Sequence, residues 1–290
     1  MQKIIIAKSL ISRRVNNRPG NACIALLFAA LLAGCTQSDE ASERVAASFP
    51  EGVDSRKGYL AQASLPDSVA LLPPPPAEGS AALARDEEIA ANNIALRNSA
   101  RWALAVADAN LRFPQAADTF ACALDMPITE ADSPRTYTLL RRTLSDAGRS
   151  TAAAKKYYAR PRPFLINNEP ICTPDEIAGY RNSGAYPSGH AAVGWAWALI
   201  LAELAPEQSE AILARGLAFG NSRAVCNIHW QSDVEQGRVM AAAAVARLHA
   251  EPDFRADMDA ARDELAAVRN SQRKPTRDCA AERAALSETT

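Results

Sequence analysis

The sequence is poor in several features that would narrow its function at once. It has three histidines in 290 residues, so any imidazole chemistry must draw on His190, His229 or His249. Its formal net charge is only −1, which gives no electrostatic reason to expect a nucleic-acid partner. None of its six cysteines has the close spacing of a zinc site. No apolar run reaches the roughly 20 residues that a membrane-spanning helix needs. Strand signals are weak throughout, and no internal repeat is evident.

What is present begins with an export signal. Lys3, Lys8, Arg13, Arg14 and Arg18 precede an apolar run from Cys23 to Ala33, which ends in Leu32-Ala33-Gly34-Cys35. A basic start, a short apolar centre and small residues before a cysteine read as a signal peptide over residues 1–34. Cysteine directly after Leu-Ala-Gly resembles the bacterial lipobox, so Cys35 is expected to carry lipid and become the mature N-terminus. Ordinary cleavage nearby, giving a soluble periplasmic protein, is the alternative. Gln37, standing where some lipoproteins have Asp, resembles Gram-negative lipoproteins of the outer membrane. Val15-Asn16-Asn17 after the arginine pair does not fit a twin-arginine signal. Loss of residues 1–34 removes five basic residues and no acid, so the formal charge moves from −1 to −6. Cys122, Cys172, Cys226 and Cys279 then remain, expected as disulfides in an oxidising periplasm, with three pairings open and Cys279 a candidate for staying unpaired.

Residues 35–57 are polar, acidic and aperiodic, and read as a flexible tether. The run from Pro73 to Pro76 must be extended and is expected to lie as a rigid strap on the folded body. Beyond it the chain reads as helix after helix. Apolar spacing through Ile89, Leu96, Trp102 and Val106 predicts a helix from Asp86 to Leu111. Ser133-Pro134 and Gly148 bracket another from Thr136 to Ala147. Thr173-Pro174-Asp175-Glu176 has the form of a capping box before a short helix. Ala191 to Ala205 is nearly all apolar and so buried on most faces. Helices over 206–219, 230–250 and 253–268 complete the set. The expectation is an all-α fold, a single compact multi-helix domain over residues 58–268, followed by a charged, frayed tail at 269–290.

Three clusters carry the chemistry: Lys155 with Arg162-Pro163; Pro187-Ser188-Gly189-His190; and Ser222-Arg223 with His229 and Asp233. They read K-x6-RP, PSGH and SR-x5-H-x3-D. With eleven positions fixed, chance gives such an arrangement at about 10⁻¹⁴, so coincidence is not a competitor. His229 and Asp233 are four apart, so on a helical turn the carboxylate can accept from one ring nitrogen and leave the other as a lone pair. That is a nucleophile with its orienter. Ser188 and Gly189 stand before the apolar helix, where unpaired N–H groups and a small residue suit a phosphate; Ser188 is also a natural N-cap. His190 is placed to act as general acid and then base. Lys155, Arg162 and Arg223 would neutralise nonbridging oxygens. Prolines on both sides hold Arg162 in an extended segment. Lys156 and Arg160 read as surface charges, and Arg141-Arg142 as a structural pair.

The order and spacing resemble the phosphatase signature of the type 2 phosphatidic acid phosphatase (PAP2) superfamily, which also holds the vanadium haloperoxidases. The flanking sequence, roughly Gly58 to Phe254, is similar to its class A bacterial non-specific acid phosphatases, including Arg112-Phe113-Pro114 and Trp230-Gln231-Ser232-Asp233. This resemblance implies an all-helical acid phosphatase acting on small phosphomonoesters, with no cofactor and no metal. In it His229 forms a phosphohistidine, Asp233 holds the reactive tautomer, and His190 moves the proton. It further implies inhibition by phosphate or vanadate, a homodimer, no nucleic-acid partner, and membrane contact only through the lipid anchor. Alternatives on the same motifs are a vanadate-dependent haloperoxidase, whose chains are longer, and an integral lipid-phosphate phosphatase, which needs several membrane spans. A non-catalytic lipid-anchored binding protein is a third. Ala185 and Ala191 stand where class A sequences often have Ser and Thr, which alters pocket polarity and leaves the motif chemistry in place.

Overall fold

The fold is all-α: in a computed structural model that describes residues 57–288, no strand occurs among the described residues. The signal peptide, Cys35 and the tether up to residue 56 lie outside the described residues. The stretch predicted as one helix from Asp86 to Leu111 is two, α1 (Ala81–Ile94) and α2 (Ala100–Asp108). The break has a local cause. Ser99 accepts from the Trp102 amide and caps α2, while Asn98 takes a left-handed turn at φ 61°, a conformation asparagine tolerates.

Next comes α3 (Pro134–Ser150), which starts at the predicted proline but runs through Gly148 instead of stopping there. Glycine inside a helix costs about 1 kcal/mol, and packing outweighs it here. The side chain of Ser133 does not cap α3; Glu264 does, accepting from the Arg135 and Thr136 amides at 2.8 Å each. Short helices α4 (Ala152–Tyr158), α5 (Pro163–Asn167) and α6 (Ile177–Arg181) follow. A 3₁₀ turn at Pro174–Glu176 precedes α6, without the side-chain cap expected from Thr173. The long helices are α7 (Gly189–Leu204), α8 (Ser209–Val225), α9 (Gln231–Leu248) and α10 (Pro252–Asn270).

Helix α7 is the axis of the core, packed against α3, α8 and α9, which explains why nearly every face of it is apolar. Trp197 is fully buried on it and donates its indole N–H to the Leu140 carbonyl at 2.8 Å. Around it lie Phe120, Leu139, Ile200, Leu201 and Phe254, and truncating a residue of this kind to alanine costs about 3–5 kcal/mol. The N-terminal segment is tied down at several places along its length. Asp146 accepts from the Tyr59 and Leu60 amides, and the Tyr186 hydroxyl donates to the Pro73 carbonyl at 2.6 Å.

The end of the chain departs from the sequence reading. Instead of fraying, residues 279–287 form α11 (Cys279–Ser287), capped by Asp278. Cys279 is bonded to Cys122, and the other disulfide joins Cys172 to Cys226. Glu282 meets Arg215 and Arg277, and Glu288 accepts from the Arg101 amide. The acids that suggested a solvated tail have buried arginines to meet. Among the described residues no helix is long and apolar enough to cross a membrane.

Candidate active site

The site is built where α7 and α9 begin and α8 ends. Ser188, in extended backbone, accepts from the Ala191 amide at 3.2 Å and so caps α7 as its sequence suggested. Its own amide donates to the Asp233 carbonyl at 2.8 Å. The two helix starts touch because Gly237 on α9 has no side chain: a Cβ there would fall 2.5 Å from the Ser188 carbonyl oxygen. Gly189 faces the Lys155 side chain, and a Cβ on it would lie 3.8 Å from Lys155 Cε.

His190 follows in the first turn of α7, its Nε2 3.0 Å from the Ala109 carbonyl. A carbonyl can only accept, so Nε2 carries the hydrogen and Nδ1 is left free. Ala109 comes directly after α2, whose last residue Asp108 is buried. Arg215 grips Asp108 with two nitrogens, at 2.5 and 3.2 Å, and the Ser222 hydroxyl donates to it at 2.6 Å. The serine of the third motif thus supports the carbonyl that orients His190. The enclosing protein, then the charge of Arg223, push His190 down to about 3.

His229 lies in the turn between α8 and α9, not on a helical turn as its spacing to Asp233 suggested. The Arg223 carbonyl accepts from both the Ile228 and His229 amides. Asp233, at the third position of α9, accepts from the Trp230 amide at 2.9 Å and lies 3.4 Å from His229 Nδ1. The expected pairing therefore forms, across a helix start where an acidic side chain is also favoured by the backbone dipole. On the other side of the ring, Nε2 is 3.1 Å from Arg162 Nη1. Burial first, then Arg162, Lys155 and Arg223, hold His229 well below its usual value, so it is neutral. Burial raises Asp233 to about 6 against the opposing pull of Arg160 and the Trp230 amide.

Arg162 projects from extended backbone, φ −80° and ψ 154°. Besides His229 it donates to the carbonyls of Tyr180, Ser183, Gly184 and Ile228 and to the Ser183 hydroxyl. Burial draws it down to about 10. Lys155 donates to the Gly184 and Ala185 carbonyls at 3.0 and 3.4 Å; burial and then Arg162 lower it to about 7. This close passage needs Gly184, since a Cβ there would come 2.4 Å from the Lys155 carbonyl oxygen. Arg223 is different. It is fully buried, its Nε has no partner among the described residues, and its side-chain contacts are long: 3.4 Å to the Tyr180 hydroxyl and 4.0 Å to Cys226 Sγ. A buried cation so poorly matched costs several kcal/mol unless an anion joins it.

Lys155, Arg162, Ser188, Gly189, His190, Arg223, His229 and Asp233 thus all gather in one place. The sequence reading missed Arg160, taken there as a surface charge. It is buried, donating to Asp233 at 2.7 Å, Asp86 at 2.8 Å and the Ser232 hydroxyl at 2.7 Å. Asp86 in turn accepts from the Ser232 amide at 2.8 Å. One signal existed: Asp86 shares the buried stripe of α1 with Ala90 and Asn93, an acid at an apolar-stripe position. Lys156 is exposed, and Arg142 pairs with Asp257, both as expected.

A cleft of about 530 Å³, lined by Val106, Asn110, Arg112, Thr173, Asp175 and Glu176 among others, reaches His190. A remote cavity of about 550 Å³ near Leu124, Gln208 and Lys274 touches none of these residues. Its cations are paired, Lys274 with Asp125 and Arg269 with Glu207. No three His, Cys, Asp or Glu side chains among the described residues are grouped so as to hold a metal ion.

The pattern of the PAP2 superfamily matches residues 138–254. The chain is 42% identical over 209 residues to an acid phosphatase of Zymomonas mobilis, covering 72% of this chain and 79% of that one. It is 40% identical over 233 residues to a non-specific acid phosphatase of Providencia stuartii, covering 79% and 94%. A non-specific acid phosphatase of Salmonella typhimurium is 40% identical over 195 residues, covering 67% and 78%.

Proposed function

The chain belongs to the PAP2 superfamily, among its non-specific acid phosphatases, and on that premise we propose that it hydrolyses small phosphomonoesters through a phosphohistidine on His229, without a metal ion. The observation that carries this reading is Arg223, a buried guanidinium whose Nε has no partner among the described residues, near a neutral histidine whose Nε2 faces the Arg162 guanidinium.

Substrate phosphate enters between Lys155, Arg162 and Arg223, which take its nonbridging oxygens, with the Ser188 hydroxyl and the α7 N-terminus adding donors. Arg162 releases His229 Nε2 and turns to the phosphoryl oxygens. Nε2 then attacks phosphorus while the bond to the leaving oxygen breaks, and Asp233 offsets the positive charge that develops on the ring. His190 gives the leaving oxygen its proton. In the second half, His190 takes a proton from water, the hydroxide attacks phosphorus, the P–N bond breaks, and inorganic phosphate departs. With its pKa depressed to about 3, His190 does not start out charged. Its proton comes with the substrate, since a phosphomonoester has a second pKa of about 6 and is a monoanion under acid conditions. An acid optimum follows.

Hydrolysis of an aryl phosphate in excess chelator tests this. Activity is expected to persist and to fall with vanadate or inorganic phosphate. Complete loss in chelator, restored by zinc or magnesium, would overturn the metal-free mechanism; no hydrolysis under any condition would overturn the function.

For location, the basic start, the apolar run and Cys35 support an outer-membrane lipoprotein facing the periplasm. The two disulfides fit an oxidising compartment. Cys35→Ser is expected to abolish lipid labelling and release the protein into the soluble fraction. The homodimer rests on family resemblance alone.

A further inference from the structure

One short segment serves all three cations assigned to phosphate. Lys155 and Arg162 are held by carbonyls between Tyr180 and Ala185, contacts made by backbone and fixed with it. Arg223 instead meets a side chain. The Tyr180 hydroxyl lies 3.4 Å from its Nη2 and donates to Glu176 at 2.6 Å, while the phenol ring covers the Arg162 guanidinium at 4.8 Å. Glu176 is exposed and also lines the cleft that reaches His190. The Tyr180–Glu176 pair therefore stands between the cleft and the cations. No residue of α6 is fully buried; Tyr180 packs half-buried against the cluster around Phe164 and Ile171, while Glu176 is exposed, so the carboxylate can swing away and the ring tilt without unpacking the core.

We propose that Tyr180 is a placeholder for phosphate: its hydroxyl, steadied by Glu176, occupies Arg223 until a nonbridging oxygen of the substrate displaces it. This rests on the phosphatase reading given above. The physical logic is an exchange of partners. Arg223 gains little from a long contact with a neutral hydroxyl and much from a short one with an anion. The incoming charge repels Glu176, which withdraws and draws the hydroxyl away from Arg223 by a tilt of the ring, whose face still covers Arg162. Tyr180 then acts as a positioning residue that sets how tightly phosphate, substrate or product, is kept.

The test is the competitive inhibition constant of inorganic phosphate against an aryl phosphate, in wild type, Tyr180→Phe and Glu176→Gln. Removing the hydroxyl removes the competitor, so Tyr180→Phe is expected to bind phosphate about three- to tenfold more tightly, with KM falling in step and kcat not rising. Glu176→Gln is expected to move the same way by less. Tighter binding is a gain that a merely damaged loop would not give. If Tyr180→Phe fails to fold, Glu176→Gln, at an exposed side chain, carries the test by itself. Phosphate that does not compete in wild type would overturn the reading of the pocket as a phosphatase site. Competition with an unchanged or weakened constant in the variants would overturn the placeholder alone.

Discussion

Nη1 of Arg162 lies 3.1 Å from Nε2 of His229, so the group proposed to grip phosphate also dictates the tautomer of the group proposed to attack it. A guanidinium can only donate, which leaves Nε2 as the bare nitrogen and directs Nδ1–H to Asp233. Lysine cannot reproduce the forked geometry. Arg162→Lys is therefore expected to lower kcat by about 100-fold or more and to give a mixture of His229 tautomers by nitrogen NMR. A single tautomer retained in the variant would remove Arg162 from this role.

The two histidines should part company under rapid quench with labelled substrate. His229→Ala is expected to trap no acid-labile phosphoenzyme and to turn over almost nothing. His190→Ala should still be phosphorylated by an aryl phosphate, whose leaving group needs little protonation. Label on His190, or trapping that survives in His229→Ala, would reverse the roles.

Dependence on pH follows from two buried charges. Asp233 must be ionised to accept from His229; raised to about 6, it protonates below that and activity falls on the acid side. In the proposed mechanism Lys155 must be charged to hold phosphate; lowered to about 7, it discharges above that and activity is expected to fall on the alkaline side. The profile of kcat/KM is thus a bell on the acid side of neutrality. A guanidinium holds its proton more firmly than an ammonium, and even buried Arg162 is drawn down only to about 10, so Lys155→Arg should move the alkaline limb up by about one unit or more. A limb that stays put would belong to the substrate's own proton.

The three motifs were legible because each is local: the residue types and their spacing sit within a dozen positions. Arg160 was not, since its partners Asp86 and Asp233 are 74 and 73 residues away and a cation in a basic run carries no mark of burial. Tyr180 was missed likewise, since its neighbours Arg162 and Arg223 come from an extended segment and a helix elsewhere in the chain. Apolar spacing runs unbroken through 95–99 because α1 and α2 continue one pattern, and Ser99 was the sign of the gap. The last helix was hidden by its charge, because nothing near residues 279–288 announces Arg101 and Arg215.

Arg160→Ala leaves Asp86 and Asp233 buried without their cation, which costs about 3–5 kcal/mol. Both Tm and kcat should drop, because Asp233 loses the partner that keeps it ionised beside His229. A variant with wild-type Tm would refute this placement of Arg160.

The Cys122–Cys279 bond closes a span of 157 residues, so replacing both cysteines by alanine is expected to cost about 2–5 kcal/mol and lower Tm by about 5–15 °C. Activity well below the new Tm should stay within a few-fold of wild type, since α11 touches the network behind Ala109 and not the substrate. Loss of activity without loss of stability would give α11 a direct part in turnover.

The hydrogen bond from the Ser188 amide to the Asp233 carbonyl, with Gly237 closing the gap, makes the starts of α7 and α9 one block. The line along which phosphorus is approached is then set by backbone, whereas the departing group meets an open cleft and an exposed turn. Many alcohols can leave from such a site, yet all must depart along one axis. In the proposed mechanism two successive in-line displacements occur at phosphorus, His229 Nε2 entering in the first and leaving in the second, and each inverts phosphorus. A chiral phosphoryl group passed to an alcohol would therefore keep its handedness, whatever ester it came from.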